Sequence, residues 1–341
     1  MSERTYDEIM RDIESGLSGD PREDYDYLMN MADVYREHSR AKDIHKAIGR
    51  LIYSLMPAEG QAKFADVLEK ERKQFLEKLE NIRFRMFREQ YEEALKDAEE
   101  LVSLAESGLY ADDETGTYFS FDEAFEEVLY TIIHQPLKEV RRASVPMSRI
   151  YGTYGILLVE LGRVEEARKA LEKGLKWNPC DMEIRTEYAE TCKMQGNMEA
   201  YLEQVLENIK YCFRPKYLAR AYRDLGYYFI ERKQYSEATF LYYLSMRWEP
   251  ESKQAASELF YIEQKAEEEI HALRTDEIKA LSETYEFPVG PDPRILSAAY
   301  QLGKHSLEHH EPGAEYYLQI VYDLTKDEEV GKLLEGIVKP A

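Results

Sequence analysis

The chain has 341 residues and a formal net charge of −22 at pH 7. A surface this acidic repels nucleic-acid phosphates and anionic lipid, so we expect neither as a partner. Cys180, Cys192 and Cys212 lack C-x-x-C spacing, which argues against a disulfide framework or a zinc knuckle. No apolar run approaches the ~20 residues of a membrane span, and MSERTYDEIM has no secretion-signal features, so we expect a cytoplasmic location.

The amino-terminal segment, 1–105, predicts two degenerate helical hairpins, over 27–56 and 63–104. It contains one basic, aromatic stretch, Asn81–Arg88, which has the composition of a nucleic-acid strip. Glutamates flank this stretch on both sides, and its period suits a helix with an apolar stripe. We therefore interpret it as part of a helix.

Residues 106–147 break the helical pattern with an acidic turn over 112–116 and an aromatic run that begins at Tyr118. Two interpretations stay open for this insert. It is either a divergent helix pair that continues the preceding pattern, or a segment that folds over a neighbouring surface as a lid or partner site. Strand signals are almost absent along the whole chain, which predicts an all-α protein.

A repeated pattern occupies the core segment, 148–250. Seven positions recur at an offset of 71 residues, close to two periods of 34: Tyr151, Tyr154, Gly155, Leu158, Ala167, Leu171 and Pro179 correspond to Tyr222, Leu225, Gly226, Phe229, Ala238, Tyr242 and Pro250. In a helix–turn–helix unit the large residues fill the seam between the helices, and the small ones let the backbones approach. Proline ends the second helix because it cannot continue it. A weaker copy follows 34 residues after the first, and it places Cys192 at a buried seam position.

These segments resemble tetratricopeptide repeats (TPR). The resemblance implies a right-handed α-solenoid of stacked antiparallel helix pairs. The first helix of each pair would line a concave groove.

Beyond Pro250, the extension 251–293 predicts a long helix over 251–271, a second over 275–286 and a rigid proline-rich turn. The last segment, 294–341, predicts a further TPR-like hairpin, with Gly303 and Leu318 in the slots of Gly226 and Tyr242.

HSLEHH, residues 305–310, matches the H-x-x-E-H pattern of a zinc site. The repeat alignment places it at the end of the first helix of the last hairpin, where Glu308 occupies a slot that holds glutamate in other copies. We therefore interpret it as a helix end and predict no metal site, with adventitious metal binding by His305 and His309 left open. The sequence shows no nucleotide-binding or hydrolase motif, so we predict no cofactor and no catalytic residue.

The family resemblance implies which residues face the groove. They include arginines, tyrosines and a glutamate, a composition frequent at protein interfaces. The predicted groove residues are Arg149, Gly152, Ile156, Thr186, Glu190, Arg220, Arg223, Tyr227, Tyr300 and Lys304.

TPR proteins that clamp carboxylate tails carry paired Lys and Asn in these slots, which this chain lacks. Arg220 and Arg223 would still suit an acidic tail. We expect a non-enzymatic scaffold that binds a protein or peptide. The alternatives are a peptide-sensing receptor that resembles the bacterial TPR type, or an enzyme with an unrecognised site. The partner and the oligomeric state do not follow from the sequence.

Overall fold

The computed structural model describes residues 4–106, 110, 112–266 and 269–338, and this part of the chain is almost entirely helical. The first elements are α1 (Tyr6–Ser15), α2 (Pro21–Val34), α3 (Ala41–Leu55), α4 (Ala58–Phe87), α5 (Tyr91–Glu106), β1 (Gly116–Phe119), α6 (Ala124–His134), β2 (Glu139–Arg142) and α7 (Met147–Glu160). They are followed by α8 (Val164–Trp177), α9 (Met182–Met194), α10 (Met198–Ile209), α11 (Pro215–Glu231), α12 (Tyr235–Ser245), α13 (Lys253–Lys265), α14 (Thr275–Tyr285), α15 (Pro293–Glu308), α16 (Ala314–Thr325) and α17 (Glu328–Val338). The predicted all-α class is confirmed at this level, apart from two short strands.

The chain divides into two compact units that do not follow chain order. Unit 1 contains the described residues of Met1–Asp122, Pro136–Leu157 and Lys176–Asn178. Unit 2 contains those of Glu123–Gln135, Leu158–Leu175 and Pro179–Ala341. Most of α7 therefore belongs to unit 1, whereas α6 and most of α8 belong to unit 2.

Neighbouring helices pair in both units. In unit 1, α2 packs on α3 and α4 on α5, as the two amino-terminal hairpins predict. In unit 2, α9 packs on α10, α10 on α11, α11 on α12, and α15 on α16. These contacts are consistent with a helical repeat. The sequence missed α1, whose Tyr6, Ile9 and Ile13 pack with α3 in a separate small core.

Among the described residues, five short helix–helix turns share one backbone geometry, which also closes α14 at Glu286. Each contains a residue with left-handed φ, and the next amide donates to the carbonyl five residues earlier, which is the Schellman closure of a helix end. The left-handed residues are Glu89, Gly162, Gly196, Lys233 and His310. The closing bonds are 2.8–3.0 Å long, from Gln90 to Arg85, Arg163 to Leu158, Asn197 to Cys192, Gln234 to Phe229 and Glu311 to Ser306. The sequence repeat is thus also a repeat of backbone conformation.

Two glycines show why small residues recur in the first helix of a pair. A Cβ added at Gly226 in α11 would lie 2.9 Å from the Tyr242 ring in α12. A Cβ at Gly303 in α15 would lie 2.7 Å from Leu318 Cγ in α16. Both partner side chains are buried, so they have little room to move. The predicted role of Gly226 in close helix approach is confirmed, and Gly303 repeats it.

Where the structure describes the insert over 106–147, it contains one helix between two strands, so its interpretation as a helix pair is wrong. The strands β1 and β2 pair in parallel, with Gly116 opposite Glu139 and Phe119 opposite Arg142. Each has only four residues, too few for an alternating pattern to stand out from the helical background. The lid interpretation stays a prediction.

The helix predicted over 251–271 is shorter in the structure, where α13 ends at Lys265. Its buried stripe consists of Ala255 and Ile262, and Ala266 already has an extended backbone. A further apolar side chain, Ile270, still packs against the large core, but from beyond the end of this helix. The proline-rich turn is held by α11, because the buried Tyr222 hydroxyl donates to the Pro288 carbonyl at 2.7 Å and accepts from the Gly290 amide at 2.8 Å.

The shared turn geometry predicts opposite effects for two substitutions. Lys233→Gly should raise the free energy of unfolding by roughly 1 kcal/mol, because Lys233 has a φ of 59° that disfavours residues with a Cβ. Gly196→Ala, at φ 71°, should lower it by a similar amount. Urea unfolding followed by circular dichroism measures both. A loss of stability in Lys233→Gly would contradict the proposed equivalence of the turns.

Close helix approach predicts that Gly226→Ala lowers the free energy of unfolding by roughly 1–3 kcal/mol, because the new methyl group overpacks the seam against Tyr242. The matched control is Gly336→Ala in α17, where an added Cβ meets nothing within 4 Å. That variant should be neutral or slightly stabilising. Equal stability of the two variants in chemical denaturation would show that the seam tolerates a larger residue.

Candidate functional site

The predicted groove residues are distributed over both units. Arg149, Gly152 and Ile156 lie on the part of α7 that belongs to unit 1. There Gly152 is buried, Ile156 is half-buried, and Arg149 faces Asp122 with an Nε–Oδ2 distance of 3.6 Å. The other seven predicted residues lie on α9, α11 and α15 of unit 2.

Unit 2 brings predicted residues of α9 and α11 into direct contact. Arg220 Nη2 donates to Glu190 Oε1 at 2.7 Å, and Arg220 Nε donates to Asp224 Oδ1 at 2.7 Å. Lys193 forms a second ion pair with Glu190. These side chains join the first helices of two successive hairpins. We call this surface, formed by Glu187, Glu190, Lys193, Arg220, Asp224 and Tyr227, the α9–α11 face.

An aromatic pair continues this face. Lys193 Nζ lies 4.8 Å from the centre of the half-buried Tyr227 ring, within range of a cation–π interaction. Tyr227 meets Tyr201 of α10 edge to face, with 6.0 Å between ring centres. The buried Tyr201 hydroxyl donates to the Asp224 carbonyl at 3.2 Å. Tyr227 is therefore held in place while it stays partly exposed to solvent.

Arg223 lies away from the open surface. Its side chain is 8% exposed and its Nη1 donates to Glu249 Oε2 at 2.6 Å. Arg220, the other arginine expected to hold an acidic tail, is engaged by two carboxylates. Both guanidinium groups are therefore held by internal carboxylates, and Arg223 Nε is buried without a hydrogen bond.

Thr186, Tyr300 and Lys304 contribute differently. The Thr186 hydroxyl donates to the Met182 carbonyl of its own helix at 2.7 Å. On α15, Lys304 Nζ lies 5.8 Å from the centre of the Tyr300 ring and 4.0 Å from Glu308 Oε1. Tyr300 is half-buried and Lys304 is exposed, so α15 presents an aromatic and a cationic group next to each other.

The sequence prediction missed Glu187, Lys193 and Asp224. Burial raises the pKa of the Glu187 carboxyl, and the nearby Glu190 adds to this shift. Burial also raises the pKa of Asp224 to about 6, although the Arg220 charge opposes the shift. The spacing of Arg220 and Asp224, four residues apart on one helix, was a usable signal. No sequence signal pointed to Glu187, because only the packing of α9 buries it.

The HSLEHH segment is a helix end, as its alignment predicts. The residue that caps α15 is His309, and its Nδ1 lies 2.9 Å from the His305 carbonyl oxygen. Across the described residues, no group of three or more His, Cys, Asp or Glu side chains is arranged to hold a metal ion. Cys180, Cys192 and Cys212 are buried, and burial raises the pKa of each thiol, which disfavours the reactive thiolate.

Comparison with known proteins adds no relative. The chain matches no protein-family model and no curated protein. Among the helices that the structure describes, none combines the length and the apolar character that crossing a membrane requires.

The buried Asp224 predicts a pH dependence of stability. Because its pKa in the folded state lies above the unfolded value of about 3.9, the folded state binds the proton more tightly. As the pH falls from 7 to 5, the free energy of unfolding of the wild type should therefore rise by roughly 1 kcal/mol relative to that of Asp224→Asn. Urea unfolding of both proteins at several pH values measures this difference. The exposed Glu203→Gln of α10 is the control, and a wild-type advantage that shrinks on acidification would contradict the sign.

Proposed function

We propose that this chain is a non-enzymatic scaffold that binds a protein or peptide through the α9–α11 face, within an array of TPR-like helix pairs. The observation that carries the proposal is the meeting of Glu190, Arg220 and Tyr227 on one surface. They come from the first helices of neighbouring hairpins. In a solenoid of this kind, those helices line the concave side.

The recurring turn supports the comparison with helical repeats. Five turns close with the same hydrogen bond, and close helix contacts recur at Gly226 and Gly303. Repeat arrays stack units whose hydrophobic faces cannot be buried alone, and the resulting extended surface suits binding. The handedness of the array is part of the proposal.

The electrostatics favour a partner that presents a basic side chain. Arg220 and Lys193 are already paired with carboxylates, so the face offers no free cation to an acidic tail. Glu187 is half-buried beside Glu190, and a ligand cation there would relieve the repulsion between the two carboxylates. The open part of the Tyr227 ring adds a surface on which a cation or an apolar group can pack.

The test compares capture of partners from lysate by three immobilised proteins. The face variant is Glu187→Arg/Tyr227→Ala, and the control is Tyr243→Ala, which removes a 60% exposed ring from α12. We expect a partner held by the wild type and the control, and at least tenfold less of it on the face variant. Circular dichroism and thermal unfolding establish that all three proteins are folded.

Equal capture by the wild type and the face variant would overturn the assignment of this face. Loss with Tyr243→Ala alone would move the binding surface to the second helices of the pairs. A captured partner whose binding does not weaken with added salt would contradict the electrostatic part of the proposal, because ion pairs at a surface are screened.

A further inference from the structure

Unit 1 contains a small cavity whose lining is mostly aromatic. Its volume is about 150 Å³, and its described lining residues all belong to unit 1. They comprise three rings, two apolar side chains and one carboxylate: Tyr110, Tyr151, Trp177, Ala105, Met147 and Glu106. The proposed scaffold function depends on the α9–α11 face of unit 2 and does not use this cavity.

Contacts within unit 1 hold the aromatic walls of the cavity in place. Tyr110 and Trp177 meet edge to face, with 6.2 Å between ring centres and 78° between ring planes, so they form two nearly perpendicular walls. The Tyr110 hydroxyl accepts from the Ser144 amide at 2.8 Å. The carbonyl of Trp177, at the end of α8, accepts from the Ser120 amide at 2.7 Å. These two walls are therefore preformed.

The lining carries a single negative charge, because Glu106 is the one charged side chain among its described residues. The hydroxyl of the buried Tyr151 donates to Glu106 Oε1. Burial raises the pKa of Tyr151, so the tyrosine keeps its proton and the carboxylate keeps its charge. Arg72 reaches the Ser144 carbonyl at 3.1 Å, but it does not line the cavity and is paired with Asp122 at 3.8 Å.

Aromatic rings around one carboxylate select a cation with an apolar surface. The face of an aromatic ring is partly negative and attracts a cation placed over it, most strongly at tryptophan. A primary ammonium is strongly hydrated and loses that hydration in such a lining, whereas a quaternary ammonium carries the same charge under methyl groups. The size agrees as well. A water molecule takes about 30 Å³ in the liquid, so the cavity has room for about five heavy atoms, the number in a tetramethylammonium ion.

We propose that this cavity binds a quaternary ammonium group, with its positive charge between the three rings and the Glu106 carboxylate. The methyl groups of the ligand pack against the rings and against Met147. The source of the ammonium group is either a free small molecule or the trimethylated lysine side chain of a peptide.

Isothermal titration calorimetry on the full chain tests this site with two matched pairs of probes. The first pair is choline and 3,3-dimethylbutan-1-ol, in which a carbon atom replaces the charged nitrogen. The second pair is a short capped peptide with trimethyllysine and the same peptide with unmodified lysine. We expect saturable binding of at least one quaternary probe, and at least tenfold weaker binding of its matched control. Binding of choline alone identifies a free small molecule as the ligand class, and binding of the peptide alone identifies a methylated lysine. Binding of both supports the site for either source.

Four variants, each checked by thermal unfolding, separate ligand binding from folding. Trp177→Leu removes an aromatic face but keeps an apolar side chain, and it should weaken the quaternary probe at least tenfold. Trp177→Phe retains a ring and should lose less affinity. Glu106→Gln should weaken the probe about threefold at low salt and less at high salt, because Glu106 is exposed and its charge is screened. The control is Phe260→Leu, which removes a 64% exposed ring in unit 2 and should have no effect.

The proposal is overturned if neither quaternary probe binds, or if each binds no better than its matched control. It is also overturned if Trp177→Leu stays folded and binds as tightly as the wild type. If Trp177→Leu does not fold, Trp177→Phe, Glu106→Gln and the matched probes decide. The variant Glu187→Arg/Tyr227→Ala should bind the quaternary probe like the wild type, which distinguishes a failure of this site from a failure of the scaffold proposal.

Discussion

The close contact between the two helices of a hairpin is the constraint on which most of this structure depends. At Gly226 and Gly303 the helices are so near that a single methyl group has no space beside Tyr242 or Leu318. Such contact requires a small residue on one helix, a large one opposite it, and a turn that returns the chain at a fixed angle. The Schellman turns supply that return. Lys233 and His310 adopt the left-handed backbone conformation of these turns even though neither is a glycine. Once these contacts are set, the face that each first helix leaves open is set as well.

The open face of α9 and α11 is organised by buried charge. Arg220 joins the two helices because carboxylates on both of them receive its guanidinium. Taking Asp224 out of water is costly, and this cost appears as a raised pKa although the cation is in contact. The charged side chains therefore maintain the spacing of successive hairpins. Only part of their charge and hydrogen-bonding capacity remains available to a partner. Because Arg220 and Lys193 are already paired with carboxylates, the face is proposed to suit a basic ligand although it contains two cationic side chains.

In unit 1 a different polar cluster joins separate elements by ion pairs. Asp113 holds Arg50 of α3 and Arg141 of β2 at one carboxylate, and its hydrogen bonds to the following amides shape the turn before β1. These contacts keep its pKa well below the usual range.

Much of the helical architecture follows from the sequence alone. The 34-residue period, the alternation of large and small residues and the positions of glycine and proline predict the hairpins from α9 to α12 and the pair α15–α16. They also predict the end of α15 at the histidines. These are local signals, since a helix and its turn are decided largely by residues within one or two turns of each other.

Only the tertiary structure decided the remaining features. The pairing of β1 with β2 depends on segments separated by α6, and four residues per strand carry too little pattern to indicate it. The early end of α13, the burial of Arg223 and the raised pKa of Glu187 depend on which surfaces neighbouring helices cover. The sequence by itself determined that helices pair and where they turn. The fold determined which charges are paired and which face solvent, because burial and ion pairing arise between residues far apart in the chain.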